Sequence, residues 1–499
     1  MTFEEAKNKL SEFGRKSGAL NHALSLIFHD GETAAPRGTG DNRGRTIEIL
    51  SEELYRMTTD PATVEMLETL DAERDRLTDE EARITELYLE DLNDMKKIPM
   101  EEYLESEKLL NEASDVWHSA KVNSDFATFA PYLEKIVETK RRFAGYLAPE
   151  KDPYDYWLDK YEEGINREVC DSFFGSLREK LVPLIADAGR AKLPESGIRN
   201  GYYPVDAQKK LSVLLMKTMG LNPDRVGIAE TEHPYTTSIG SHLDVRITTH
   251  YYENDFLSSM YSVIHEGGHA LYDSGSPDRF AFTPLDGGVS MGVHESQSRF
   301  YENIIGRSRS FCEYIFPELD KLFPGSVSGV DELYREVNRV TPSLIRTEAD
   351  EVTYCLHVMV RYELEKRLMS GELKVKDLPG EWNRLYREYL GVEPSCDREG
   401  VLQDSHWSGG SIGYFPSYAL GSAYGAQFLA KMKETIDVEA CVARGDFAPI
   451  NEWNREHIWK YGSLLKPGKL TKQVFGGDFD PSLYVKYLEE KVRDVYGLK

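Results

Sequence analysis

Cysteine is scarce and scattered. Five occur in 499 residues, Cys170, Cys312, Cys355, Cys396 and Cys441, and no CxxC pair is among them. An odd, dispersed set does not suggest a disulfide framework and reads as small buried hydrophobes of a cytoplasmic protein. Long apolar runs are missing too, so no stretch is suited to span a bilayer. The first residues, MTFEEAKNKLSEFG, have neither the basic nor the apolar region of a secretory signal. Positive charge is in deficit, 60 Lys and Arg against 85 Asp and Glu, for a net charge of −25. Phosphate binding needs basic surface, so the charge argues against a general nucleic-acid binder without excluding a basic pocket inside an acidic shell. Strand signals are few; the clearest is LDVRITTHYY, residues 243–252. Internal repeats, low-complexity tracts and obvious interdomain linkers are absent as well.

What fills the chain is helical period. Phe3, Ala6, Leu10 and Phe13 recur at helical spacing, and the pattern continues to Ile27 before a breaker-rich stretch, GETAAPRGTGDNRG. Further helices are expected near 45–58, 62–75, 79–97, 131–147 and 482–495, and over most of 166–220 and 296–390. The expected fold is therefore mainly α: one large helical body, residues 1–499, divided by a cleft, with a small β-sheet beside one helix. Residues 1–120 are expected to form one helical wall or lid.

One helix carries chemistry. Residues 261–275 read YSVIHEGGHALYDSG. His265 and His269 lie four apart, on one helical face, with Glu266 beside the first. This is HExxH: two imidazoles to hold a metal and a carboxylate to handle a proton. Gly267 and Gly268 fill the unspecified positions, although glycine inside a helix costs about 1 kcal/mol relative to alanine. Their missing side chains imply close approach of another backbone or of substrate. A catalytic zinc takes three protein ligands and keeps a fourth position open. Glu295, in GVHESQSRFYEN, 26 residues after His269, is the next strong candidate, near the start of a second helix after a Pro- and Gly-rich loop.

The chain resembles the carboxypeptidase Taq family of thermostable-type zinc metallocarboxypeptidases. The residues behind the resemblance are HPY (233–235), DVRIT (244–248), HEGGH (265–269), HESQ (294–297), IRTEAD (345–350), GVLQDSHW (400–407) and GYFPSYALG (413–421). Tyr235 stands where the family usually has Phe. The resemblance implies His265, His269 and Glu295 as zinc ligands and Glu266 as general base; an N/O site of this type accepts several divalent ions, so Co2+ or Mn2+ in place of Zn2+ stays open. It further implies peptide substrates with a free C-terminus, a cleft fold similar to neurolysin, and a homodimer.

The chemistry of exopeptidase action suggests the remaining candidates. A guanidinium fork suits a terminal carboxylate, which points to Arg346 in IRTEAD and Arg246 in DVRIT, the latter with the alternative of ordering its strand through Asp244. His406, Tyr414 and Tyr418 are candidate donors to an oxyanion. His233 and Gln403 are further substrate-binding candidates. Asp350, or alternatively Asp273, is the expected carboxylate partner of a ligand histidine. Two rival readings stay open: an oligopeptidase or dipeptidyl carboxypeptidase on the same scaffold, and a catalytically silent, zinc-containing peptide-binding protein.

Overall fold

The computed structural model describes residues 1–498, apart from the side chains of Arg37, Arg199 and Asn200. Helices α1 (Phe3–Thr33), α2 (Gly40–Thr59), α3 (Pro61–Ala72) and α4 (Asp79–Lys97) come first. Capping boxes open α1 and α4: Thr2 with Glu5, and Thr78 with Glu81, satisfy end amides reciprocally. Three of these helices share a small core of their own, built from Phe3, Ala6, Leu10, Phe13, Met66, Leu67, Leu70 and Leu92. The fourth, α2, buries no residue. The large core holds the rest of the chain.

Helices α5 (Met100–Asn123), α6 (Phe126–Leu147), α7 (Pro153–Tyr161), α8 (Arg167–Ala191) and α9 (Val205–Met219) lead into a three-stranded sheet. Its strands are β1 (Val226–Glu230), β2 (Thr236–Ser238) and β3 (Val245–Thr249), in the order β1-β3-β2. The central β3 runs parallel to β1 and antiparallel to β2, with Thr236 opposite Ile247 and Ser238 opposite Val245. Both ends of β3 are apolar or buried, as a central strand requires.

Helix α10 (Phe256–Ser274) packs against the sheet, and α11 (Met291–Arg299) lies beside α10. A π-helical turn, Phe300–Ile305, extends α11. Then come α12 (Arg309–Leu322), α13 (Val330–Val337), α14 (Glu351–Ser370), α15 (Leu378–Leu390) and α16 (Pro416–Met432). The chain closes with α17 (Val438–Ala443), α18 (Ala448–His457), α19 (Pro467–Phe475) and α20 (Ser482–Tyr496). Helix α14 is buried on nearly every side, so its charged residues Arg361 and Glu365, both 0% exposed, must find partners inside.

The mainly helical fold with a small sheet agrees with the sequence pattern, and α4 and α20 fall within a residue of the expected spans. Three differences stand out. Helix α1 runs through Gly31 to Thr33, because the capped, amphipathic segment outweighs one glycine. The sheet gains β1 and β2, too short to leave a period in the sequence. Residues 338–350 are irregular apart from one short turn, Arg346–Glu348, which lets IRTEAD fold back onto the core.

Candidate metal centre and active site

Asp255 caps α10 by accepting from Ser258 N, and the helix runs unbroken across its two glycines. A Cβ at Gly268 would lie 2.7 Å from Ser298 Cα and 2.8 Å from Gln297 O, both main-chain atoms of α11. The expected close approach is therefore that of a backbone. At Gly267 the same atom would meet side-chain tips, those of Met219 at 2.8 Å and Leu221 at 3.4 Å. On the opposite side of α11, a Cβ at Gly421 of α16 would reach Glu295 Cβ. Glycines thus grip α11 from two sides and bring Glu295 to the HExxH face.

Ligand-type atoms of His265, His269 and Glu295 lie within 4.8 Å of one another. Both imidazoles turn Nδ1 away from that centre. His265 Nδ1 is 2.8 Å from Glu302 Oε2; an ionised carboxylate only accepts, so Nδ1 carries the proton and Nε2 keeps its lone pair. His269 Nδ1 is 2.6 Å from His294 Nδ1, and His294 Nε2 is 2.9 Å from Asp273 Oδ1. That chain fixes His269 in the same tautomer. Two free Nε2 atoms and one carboxylate form a three-ligand set that fits a divalent ion with an open position.

The carboxylate that holds His265 is thus Glu302, while Asp273 acts on His269 one residue removed, through His294. Asp350 does not join them: it caps α14, accepting from Val352 N and Thr353 N, and also from Thr341 N. Burial alone would raise the Glu302 carboxyl, but Arg299, His265 and Arg307 hold it well below the usual range. Arg299 Nη1 lies 3.1 Å from Glu302 Oε2 and its Nε 3.4 Å from Glu295 Oε2, so one guanidinium serves both carboxylates. Residues 295, 299 and 302 follow i, i+4, i+7 spacing, a signal present in the sequence although only Glu295 lies within a motif.

Glu266 is 6% exposed, and burial pushes its carboxyl upward. Its Oε2 accepts from the Thr236 hydroxyl at 2.6 Å.

A second cluster stands on the 400–418 segment. Arg346 Nε and Nη2 donate to Asp404 Oδ1 at 3.0 and 2.9 Å, while Arg361 Nε and Nη2 donate to Asp404 Oδ2 at 2.9 and 2.7 Å. Two cations on one carboxylate leave a net positive charge. Arg346 Nη1 also donates to Tyr354 OH at 2.9 Å, and Arg346 lies 4.9 Å from the Tyr418 ring centre. Three of its five N–H groups are thereby engaged.

His406 Nε2 sits 3.1 Å from Tyr418 OH, while its buried Nδ1 has no partner among the described residues. Burial lowers its pKa to about 4, so the ring is neutral near pH 7. Tyr414 packs edge-on against Tyr418, ring centres 5.1 Å apart, and against Tyr161 at 5.2 Å. Glu365 clasps the loop below: it accepts from Trp407 Nε1 at 2.7 Å, Gly413 N at 2.9 Å and Tyr154 OH at 2.9 Å. Gly413 has φ +93°, and a Cβ there would meet the Trp157 backbone at 2.9 Å.

Other candidates have structural partners. Gln403 accepts from Arg346 N and donates to Leu344 O and Glu399 O, so the expected substrate contact gives way to a fastener between two loops. Arg246 pairs with Asp244 through Nε and Nη2, as the alternative reading had it. His233 is exposed in the loop before β2. Tyr235, the departure from the family's Phe, uses its hydroxyl: it lies 2.9 Å from His29 Nδ1 and ties the sheet to α1.

Comparison with known proteins agrees with this geometry. Residues 9–492 match the carboxypeptidase Taq (M32) metallopeptidase family. Thermostable carboxypeptidase 1 of Thermus thermophilus is 38% identical, over 100% of both chains. The crystal structure of an M32 carboxypeptidase from Deinococcus radiodurans superposes with a TM-score of 0.96 at 34% identity, covering 99% of this chain and 100% of that one. A Pyrococcus furiosus carboxypeptidase structure gives 0.94 at 37% identity, covering 98% of each chain. With its HExxH helix, a carboxylate as third ligand-type group and residues 9–492 matched, the chain belongs to the carboxypeptidase Taq (M32) family and is a metallocarboxypeptidase.

Proposed function

We propose that this protein is a zinc-dependent carboxypeptidase that releases single residues from the free C-terminus of peptides. The observation that carries the reading is the His265, His269 and Glu295 cluster within 4.8 Å, with the buried Glu266 carboxylate on the same helix. A divalent ion held there supplies Lewis-acid polarisation of the scissile carbonyl and activates water. Zinc suits two imidazoles and a carboxylate; cobalt suits the same set.

Glu266 takes the proton of the attacking water and passes it to the leaving amine nitrogen as the C–N bond breaks. Tyr418 donates to the developing oxyanion, with the neutral His406 fixing its hydroxyl; Tyr414 packs beside it and is the alternative donor. The Arg346–Asp404–Arg361 array holds the substrate's terminal carboxylate, through the two Arg346 N–H groups that have no partner among the described residues. His233, exposed in the loop before β2, binds substrate main chain, and Arg246 orders its strand through Asp244. The first 120 residues form one wall, and the uncovered face of α2 serves a homodimer. Five unpaired cysteines suit a reducing cytoplasm, and no helix among the described residues is long and apolar enough to cross a membrane.

Glu266→Gln tests the core of the reading. The variant should retain metal at wild-type stoichiometry and lose roughly 100-fold or more in kcat. Turnover close to wild type would remove Glu266 from the mechanism. A wild-type protein that holds zinc and cleaves nothing would establish the silent peptide-binding alternative.

A further inference from the structure

The strand β2 does more than edge the sheet. It has three residues, and alternate side chains of a strand share a face. Thr236 and Ser238 therefore point the same way, and both hydroxyls are spent on α10. Thr236 Oγ1 lies 2.6 Å from Glu266 Oε2. Ser238 Oγ donates to Asp273 Oδ2 at 3.0 Å, the carboxylate that holds His294 and through it His269. Glu266 and Asp273 are seven apart on α10, two turns along one face. A short strand and a helix thus meet through two hydroxyl–carboxylate contacts, one within the HExxH segment and one a turn beyond it.

We propose that Thr236 is the positioning residue of the catalytic carboxylate: its hydroxyl proton holds Glu266 Oε2, leaving Oε1 to receive the water proton. The inference rests on Glu266 being the general base. Thr236 Oγ1 has one proton and two acceptors in reach, Glu266 Oε2 at 2.6 Å and Glu266 main-chain O at 3.0 Å. The shorter contact, to a charged acceptor, takes the proton. Among the described residues no other protein group donates to the Glu266 side chain, so this contact alone selects its orientation. Thr236 is itself well fixed. Its strand pairs with β3, and the residue before it is pinned twice: Tyr235 N donates to Thr248 Oγ1 at 2.8 Å, and Thr248 N to Tyr235 O at 2.9 Å. A base steered by one hydroxyl on a rigid strand is preorganised for proton transfer.

The test compares Thr236→Val, which keeps shape and loses the hydroxyl, with Thr236→Ser, which keeps the hydroxyl and loses the methyl. Each is measured as the zinc-loaded protein for metal content, melting temperature, kcat and KM on one peptide, with Glu266→Gln alongside. Thr236→Val should keep its metal and a KM within about 2-fold, and lose ~10–100-fold in kcat. Thr236→Ser should recover to within about 3-fold of wild-type kcat. Equal loss in both variants would assign the effect to packing and overturn the proposal, as would loss of metal or an unchanged kcat in Thr236→Val. If the valine variant does not fold, Thr236→Ala against Thr236→Ser makes the same decision. An active Glu266→Gln would fail the underlying reading, whereas an inert Glu266→Gln beside a fully active Thr236→Val fails this inference alone.

Discussion

Alanine at Gly268 and alanine at Gly267 should behave differently, although both sit inside α10 between His265 and His269. In each case the helix gains about 1 kcal/mol of intrinsic propensity. At Gly267 the new methyl meets the Sδ and Cε of Met219, at 2.8 Å, and a thioether has three rotatable bonds with which to withdraw. The two effects nearly cancel, and stability should stay within about 1 kcal/mol of wild type. At Gly268 the methyl meets Ser298 Cα at 2.7 Å, about 0.8 Å short of the ~3.5 Å at which carbon atoms rest against each other. Backbone cannot rotate away, so α10 and α11 must separate by most of that distance. Overpacking of this kind costs about 1–3 kcal/mol. His265 and His269 ride on one helix and Glu295 on the other, while ligand distances tolerate only about 0.2 Å of error. Gly268→Ala should therefore lose at least ~10-fold in zinc affinity, and Gly267→Ala should not. Chelator competition with a zinc indicator reads the affinity, and thermal melts of the metal-free proteins read stability. Equal zinc affinity in the two variants would refute the claim that close packing of α11 sets the ligand geometry.

Three further outcomes follow from named contacts. Glu302→Gln removes the charged acceptor of His265 Nδ1 and should weaken metal binding ~10–100-fold in the same competition assay; unaltered affinity would mean Glu302 serves only the two arginines. Arg346→Met should abolish the preference for a free C-terminus over an amide, and a variant that keeps the preference would move the carboxylate clamp elsewhere. Burial raises the Glu162 carboxyl from an ordinary 4.5 to about 7, beside Gly292 N at the start of α11. Between those values the folded chain binds a proton that the unfolded chain has released, so this group subtracts stability as pH rises from 4.5 to about 7, by about 3 kcal/mol in total. Melting of Glu162→Gln should fall less than wild type across that window, and parallel curves would contradict the assignment.

How much of this was legible in the sequence depended on the range of each contact. HExxH is local: one helical turn places both imidazoles and the carboxylate, and the spacing alone points to a metal. Glu295 followed from the need for a third ligand. Helices with clean amphipathic period and caps, such as α4 and α20, were readable for the same reason. The misses are long-range. Glu302 sits in SRFYENII, which reads as ordinary helix, and only the fold turns it toward His265. Asp350 and Asp273 look alike in sequence, yet one spends its oxygens capping α14 and the other reaches His294. The Arg346–Asp404 pair joins two motifs 58 positions apart, so the sequence offered each motif and not their contact. Strand β2, three residues long, left no pattern, and with it Thr236 stayed invisible. The glycine pair was legible as a close approach, but the partner at Gly268, the backbone of α11, was not.

The central claim is removal of single residues from a free C-terminus, and one time course addresses it directly. The same peptide is supplied as free acid and as C-terminal amide to the zinc- or cobalt-loaded protein, with products read by mass spectrometry. The account predicts a ladder of single-residue losses from the acid and none from the amide. Internal cuts in both peptides would contradict it, retaining the metal chemistry while pointing to an oligopeptidase.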